Sequence, residues 1–170
     1  MTTQRNNIVL IGMPGAGKST VGVLLAKALS RNFVDTDLII QASEGRRLQD
    51  IIDEDGLEAF RVVEERHVLT LSIPGAVIAT GGSVVYSSTA MSHLQVGGMV
   101  VYLELPLDTI RKRITNMDDR GVAKAPGQSL EALYTEREPL YTRYADVVIP
   151  CGDLGHDDVV KAVMESLSLA

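Results

Sequence analysis

Eight consecutive residues, Gly12-Met13-Pro14-Gly15-Ala16-Gly17-Lys18-Ser19, constrain this chain more than any others. Glycines at 12, 15 and 17 allow a backbone path that turns successive N–H groups inward, and such a nest binds an anion. The apolar run at residues 8–11 reads as a strand. Residues 18–30, with Val21, Leu24, Leu25 and Leu29 on one side, read as an amphipathic helix. A turn between the two directs the positive end of the helix dipole at the same point. This is the setting of a P-loop, whose ligand is ATP with its Mg²⁺. The expected nucleotide-binding set is Gly15, Ala16, Gly17, Lys18, Ser19 and Thr20. Lys18 reaches the β- and γ-phosphates and the Ser19 hydroxyl completes the coordination of the metal. The alternative, a glycine-rich turn that merely precedes Lys-Ser, does not account for the strand before it and the helix after it.

The rest of the chain supplies a fold for such a loop. Short Val- and Ile-rich runs recur at residues 8–11, 33–34, 76–79, 99–105 and 147–149. Their continuous rather than alternating apolar character predicts strands covered on both faces. The helical patterns between them, at 18–30, 37–42, 48–53, 57–71, 88–94, 107–115, 130–144 and 157–167, imply right-handed crossovers. The expected architecture is a three-layer α/β/α domain with a five-stranded parallel sheet. With 170 residues and no compositional break, one domain over residues 1–170 is expected. Residues 116–128, polar and carrying Gly121, Pro126 and Gly127, read as a mobile loop.

Charge and composition exclude several functions. A net charge of −6, no basic tail and few aromatics, with no Trp, speak against nucleic acid as a partner. No apolar stretch approaches the roughly 18 residues of a membrane span. One cysteine, Cys151, and an N-terminus leading straight into a strand point to the cytoplasm. His67, His93 and His156 lie far apart without a cysteine partner, so no zinc site is expected.

Asp35-Thr36-Asp37 follows the second strand, at the carboxyl-end edge where open parallel sheets place their ligands. Carboxylates there can orient or deprotonate an acceptor hydroxyl and support a metal through water, or simply cap the next helix. Arg61 stands three and four residues before Glu64 and Glu65, which fits either a fixed guanidinium or an ordinary surface ion pair. Gly81-Gly82, after the strand at 76–79, would let a ligand approach the backbone, or would only make a turn. Cations at Arg111, Lys112, Arg113 and Arg120, and Arg137 on the next helix, include some that are only solubilising.

Gly12 to Ser19, Asp35-Thr36-Asp37, Phe60-Arg61 with Glu64, Thr80-Gly81-Gly82, Arg120 and Arg137-Glu138-Pro139-Leu140-Tyr141 occur in an order that resembles the shikimate kinase family across nearly the whole chain. The resemblance implies transfer of the γ-phosphoryl group of ATP to the 3-hydroxyl of shikimate, on the route to chorismate and aromatic amino acids. It implies a monomer with an acceptor-binding region at about 36–64 and a lid at about 116–128. Asp37 would hold or deprotonate the hydroxyl, and Asp35 would support Mg²⁺ through water. Arg61, oriented by Glu64, and Arg137 would clamp the substrate carboxylate, with Gly81 and Gly82 facing the substrate. Arg120 matches the lid arginine that closes on the γ-phosphate, and Arg113 a position against adenine.

Three departures accompany the resemblance. Ser83 stands where the family usually has a third glycine, and Gly121-Val122 follow Arg120 in place of Pro-Leu, which is expected to loosen the lid. The loop 152–156 lacks a proline that often touches adenine; His156 either stacks there instead or is a surface residue. These departures keep open a related kinase for another small hydroxy acid. A nucleotide-binding module without transfer is the rival from another class, although it would be free to lose the acceptor and lid groups that this chain retains.

Overall fold

Nothing polar interrupts Ile8 to Ile11, and the strand they form, β1 (Asn7–Ile11), runs down the middle of the sheet with all four side chains buried. In the computed structural model, which describes residues 5–114 and 121–169, β1 pairs in parallel with β3 (Ala76–Ala79) and β4 (Gly98–Glu104). The edges are β2 (Asn32–Asp35), beside β3, and β5 (Val147–Pro150), beside β4. The order is β2-β3-β1-β4-β5, all parallel, as the continuous apolar runs predict. Only the central strands are buried on both faces; β5 alternates, as an edge strand does.

Register shows the three layers. Leu10 lies against α1 (Lys18–Leu29), whereas Tyr102, paired with the next residue Ile11, stacks on Tyr141 of α7 (Leu130–Tyr144) with ring centroids 5.2 Å apart. Adjacent strand residues point to opposite faces, so α1 and α7 cover opposite sides of the sheet. Helix α8 (His156–Leu169) packs beside α1, and α5 (Ser88–Gly97) against β4. Close approach of α1 to β2 depends on Gly22, because a Cβ there would stand 2.5 Å from the Phe33 ring.

Three helices, α2 (Thr36–Glu44), α3 (Leu48–Asp55) and α4 (Leu57–Leu69), share a separate small core of Ile40, Leu48, Ile51 and Phe60, which also takes in Ala123. This lobe leaves the sheet at the end of β2 and returns into β3. It therefore walls off the space in front of the P-loop. Helix α6 (Leu107–Arg113) follows β4. Helix ends differ from the expected ones by up to three residues, the largest difference being at the end of α5. A 3-10 turn at Val84–Tyr86 has no counterpart in the sequence reading, since Ser83 to Ser87 carries neither helical nor strand periodicity.

Candidate active site

Backbone geometry at residues 12–17 is that of a nest. Gly12, Gly15 and Gly17 have φ of 149°, 80° and 89°, and Gly17 caps α1. Side chains are excluded sterically as well, since a Cβ on Gly12 would lie 2.9 Å from the Leu103 carbonyl oxygen. Lys18 is buried, and its Nζ donates to the carbonyl oxygens of Gly12 at 2.8 Å and Met13 at 2.9 Å. Burial, with Arg137 adding to it, brings its pKa down to about 8; Asp37, Asp35 and Glu64 pull the other way.

Asp35 ends β2 and caps α2. One oxygen accepts from the Asp37 N–H at 3.0 Å and the other from the Ser19 hydroxyl at 2.6 Å. Capping and contact with the P-loop thus coexist in one carboxylate. Asp37, in the first turn of α2, is placed differently: its Oδ1 is buried and makes no hydrogen bond. Burial, reinforced by the Asp35 charge and opposed by Lys18, raises Asp37 to about 6.

A cavity of about 250 Å³ opens between these groups. Gly15, Gly17, Lys18, Ser19 and Thr20 line it from the P-loop side, and Asp37, Gly81, Gly82 and Arg137 from the other, joined by Glu64 and Ser83. Ala16 is buried beneath the loop, and Arg113 Nη1 lies 3.4 Å from the Gly15 carbonyl oxygen. Gly81 and Gly82 leave the cavity its room. A Cβ on Gly81 would meet Glu64 Oε1 at 2.6 Å and Asp37 Oδ1 at 2.7 Å, and one on Gly82 would meet Arg137 Nη1 at 2.8 Å.

Arg137 is fully buried, donating to the Ala123 carbonyl oxygen and, from Nε, to the Tyr86 hydroxyl at 3.3 Å. Arg61 is placed differently from the expectation. Its Nη1 pairs with Glu58 at 3.0 Å, not with Glu64, and it lines an adjoining cavity with Tyr86 and Glu65. Tyr86 connects the two arginines: the Arg61 guanidinium carbon stands 4.0 Å and that of Arg137 5.3 Å from its ring centroid. Glu64 accepts from the Ser83 hydroxyl at 2.5 Å while its Oε1 stays unpartnered. Burial raises Glu64 to about 7, more than Ser83 and the two arginines can offset. Thr80 gives its hydroxyl proton to the Leu10 carbonyl oxygen at 2.9 Å.

A family profile described as "Shikimate kinase" matches residues 14–168. Shikimate kinases of Tolumonas auensis and Pseudoalteromonas translucida are 37% and 38% identical, over 98% and 96% of this chain and 99% and 98% of theirs. The chain belongs to the shikimate kinase family. Its fold agrees. A solved shikimate kinase from Acinetobacter baumannii, in complex with shikimate, superposes with a TM-score of 0.87 at 29% identity, covering 97% of this chain and 94% of that one. Membership makes the protein a phosphotransferase that acts on an alcohol group with ATP as donor. Deoxyadenosine kinase from M. mycoides, at 16% identity and a TM-score of 0.59, shares the fold alone.

The departures from the shikimate kinase pattern have physical settings. Ser83 is buried on the cavity wall. Gly121 has φ of 65°, and a Cβ on it would stand 2.7 Å from Leu48 Cβ, so glycine at this point serves close packing on α3 rather than looseness. Val122 and Ala123 after it, within the stretch 116–128 read as a mobile loop, are buried. Arg120 lies outside the described residues. His156 opens α8 with its Nε2 3.3 Å from where a Gly17 Cβ would be, so it borders the P-loop while remaining exposed. Tyr86 is the site residue that sequence reasoning missed; one tyrosine after Val84-Val85 carries no periodic signal. Among the described residues no cluster of three or more His, Cys, Asp or Glu could hold a metal, and no helix is long and apolar enough to cross a membrane.

Proposed function

We propose that this chain transfers the γ-phosphoryl group of MgATP to the 3-hydroxyl of shikimate, as a monomer in the cytoplasm. One observation carries the reading: Lys18 and Asp37 line the same 250 Å³ cavity from opposite sides, with the fully buried Arg137 between the acceptor glycines and Ala123. Phosphoryl transfer needs chiefly positioning and charge neutralisation, and the cavity offers both.

In this reading Lys18 leaves the Gly12 and Met13 carbonyls for the β- and γ-phosphates, guided by the N–H groups of Gly15 to Thr20. Arg113 lies against the adenine side of the loop, and Arg120, outside the described residues, is assigned to the γ-phosphate. Ser19 and Asp35 are hard oxygen donors 2.6 Å apart, a set that suits Mg²⁺; Ser19 would hold the metal and Asp35 would support it through water. When bound, the metal neutralises charge on the phosphate oxygens.

Asp37 receives the hydroxyl proton as the oxygen attacks phosphorus, and its free Oδ1 and raised pKa suit a base near neutral pH. Arg137 binds the carboxylate of the substrate, Arg61 approaches it from the adjoining cavity, and Gly81 and Gly82 lie along its ring.

A coupled assay of ADP release with shikimate and a panel of small hydroxy acids tests the proposal. Turnover with shikimate alone is expected. Turnover only with another acid would reassign the acceptor, and ATP binding without any turnover would reduce the chain to a nucleotide-binding module.

A further inference from the structure

Glu64 occupies an unusual position for a carboxylate. It is buried, its Oε2 is held by a single donor, Ser83 Oγ at 2.5 Å, and its Oε1 has no partner. Arg61 lies one turn earlier on the same helix, at the spacing that ordinarily joins Arg to Glu. It is turned instead to Glu58 and to the face of Tyr86. The free Oε1 of Glu64 and the free Oδ1 of Asp37 converge on one face of Gly81, within 2.6 and 2.7 Å of the point where a side chain there would begin. Two buried, unpartnered carboxylate oxygens side by side are costly unless a ligand supplies donors to both. A substrate with neighbouring hydroxyls does so.

We infer that Ser83 is a positioning residue of the acceptor site: its hydroxyl, rather than Arg61, holds Glu64 so that Glu64 Oε1 and Asp37 Oδ1 together accept hydrogen bonds from adjacent hydroxyls of the substrate. The inference deepens the acceptor assignment above and rests on it. Ser83 suits the role because it lines both the acceptor cavity and the adjoining cavity that contains Arg61. The charged and titratable groups that face Glu64 are Asp37 from α2, Lys18 from α1, Arg61 from its own helix, and Arg137 and Tyr141 from α7. Ser83 contributes no charge to this set. Its donated proton favours the ionised carboxylate, the form that can accept from a hydroxyl.

The test is a double-mutant cycle on the full chain, with Ser83→Ala, Glu64→Gln and the pair. Shikimate affinity is measured calorimetrically without nucleotide at several pH values. Ser83→Ala is expected to weaken binding about tenfold at neutral pH, the loss expected for a hydrogen bond to a charged group. The deficit shrinks as pH rises and Glu64 ionises without help. In the Glu64→Gln background, removing Ser83 is expected to add almost nothing. A Ser83→Ala effect of equal size with and without Glu64, or one that ignores pH, would overturn the inference, because a merely structural role behaves so. The side-chain carboxyl of Glu64, titrated by ¹³C NMR with no acceptor present, provides a reading that does not depend on shikimate. Its midpoint should rise by roughly one pH unit in Ser83→Ala. If wild type bound no shikimate, the acceptor assignment would fall. An unmoved Glu64 midpoint would reject the role of Ser83 itself.

Discussion

The Ser19 hydroxyl donates to Asp35 Oδ2 across 2.6 Å, tying the first turn of α1 to the end of β2. The other oxygen of that carboxylate caps α2 through the Asp37 N–H. Two substitutions separate these duties. Asp35→Ala removes both, so it should lose about 1 kcal/mol from the missing cap and melt roughly 2–4 °C lower. It should also need about tenfold more Mg²⁺ for half-maximal turnover, since one carboxylate no longer supports the metal. Asp35→Asn caps almost as well and should keep the melting temperature while still demanding more Mg²⁺. An unchanged Mg²⁺ requirement in Asp35→Asn would leave Asp35 as a cap alone.

Lys18 spends its hydrogen bonds on the Gly12 and Met13 carbonyls, both within the loop it is assigned to serve. Exchange of these partners for phosphate oxygens needs no movement of the fold. Lys18→Met should therefore lower kcat by about 100-fold or more for every acceptor, the scale seen when one group aimed at transition-state charge is removed. Shikimate affinity in the absence of nucleotide should change little. Steady-state kinetics with two different acceptors, set beside direct acceptor binding, checks both halves.

Sequence made the sheet and the loop legible for physical reasons. Ile8 to Ile11, Ala76 to Ala79 and the run in β4 are apolar on both faces because helices cover both faces. Gly12, Gly15 and Gly17 hold φ values that an L side chain rarely adopts, so their spacing records the turn directly. Asp35 and Asp37 were legible as a pair, and the resemblance gave each a separate role, but which of them caps α2 depends on where that helix begins. Arg61 was legible as an arginine and not as a contact. Its choice of Glu58 and Tyr86 over Glu64 depends on a 3-10 turn that brings Ser83 and Tyr86 to α4 from some twenty residues away, and no local pattern encodes that meeting. Gly121 carried the same ambiguity: only packing on Leu48 shows that it permits closeness rather than freedom.

Arg137 and Arg61 share the face of Tyr86 but not its depth. Arg137 is fully buried, whereas the Arg61 side chain is 27% exposed. A substrate carboxylate paired with Arg137 is desolvated, so Arg137→Ala should raise the acceptor KM about 100-fold, with the KM for ATP nearly unchanged. Arg61→Ala should raise it less, because water already screens that guanidinium. Tyr86→Phe preserves the ring beneath both arginines and should be milder than Tyr86→Ala, which removes the surface on which they rest. Equal effects of Arg61→Ala and Arg137→Ala would contradict this ordering.

Burial holds two carboxyls of the site above their ordinary range, Asp37 at about 6 and Glu64 at about 7. A carboxyl whose folded pKa is raised binds its proton more tightly folded than unfolded. Its cost to stability is full above the folded pKa and is relieved as pH falls toward the unfolded value of about 4. Unliganded protein should therefore gain melting temperature on acidification from about pH 7 to about pH 5, below the range near pH 8 in which the buried Lys18, its pKa lowered, works in the opposite direction. The exposed carboxylates of Glu44, Asp50, Asp55 and Glu131, whose arginine or histidine partners hold them below the usual range, work in the opposite direction, and only below this window. Glu64→Gln, uncharged throughout, should melt higher than wild type at pH 8 and show a flatter dependence, while binding the acceptor less well. Such a trade of stability for binding is expected of carboxylates kept unpartnered for a ligand. A wild-type melting temperature that falls steadily over the same window would show that water reaches both groups. It would also withdraw the pH range assigned to Asp37 as base.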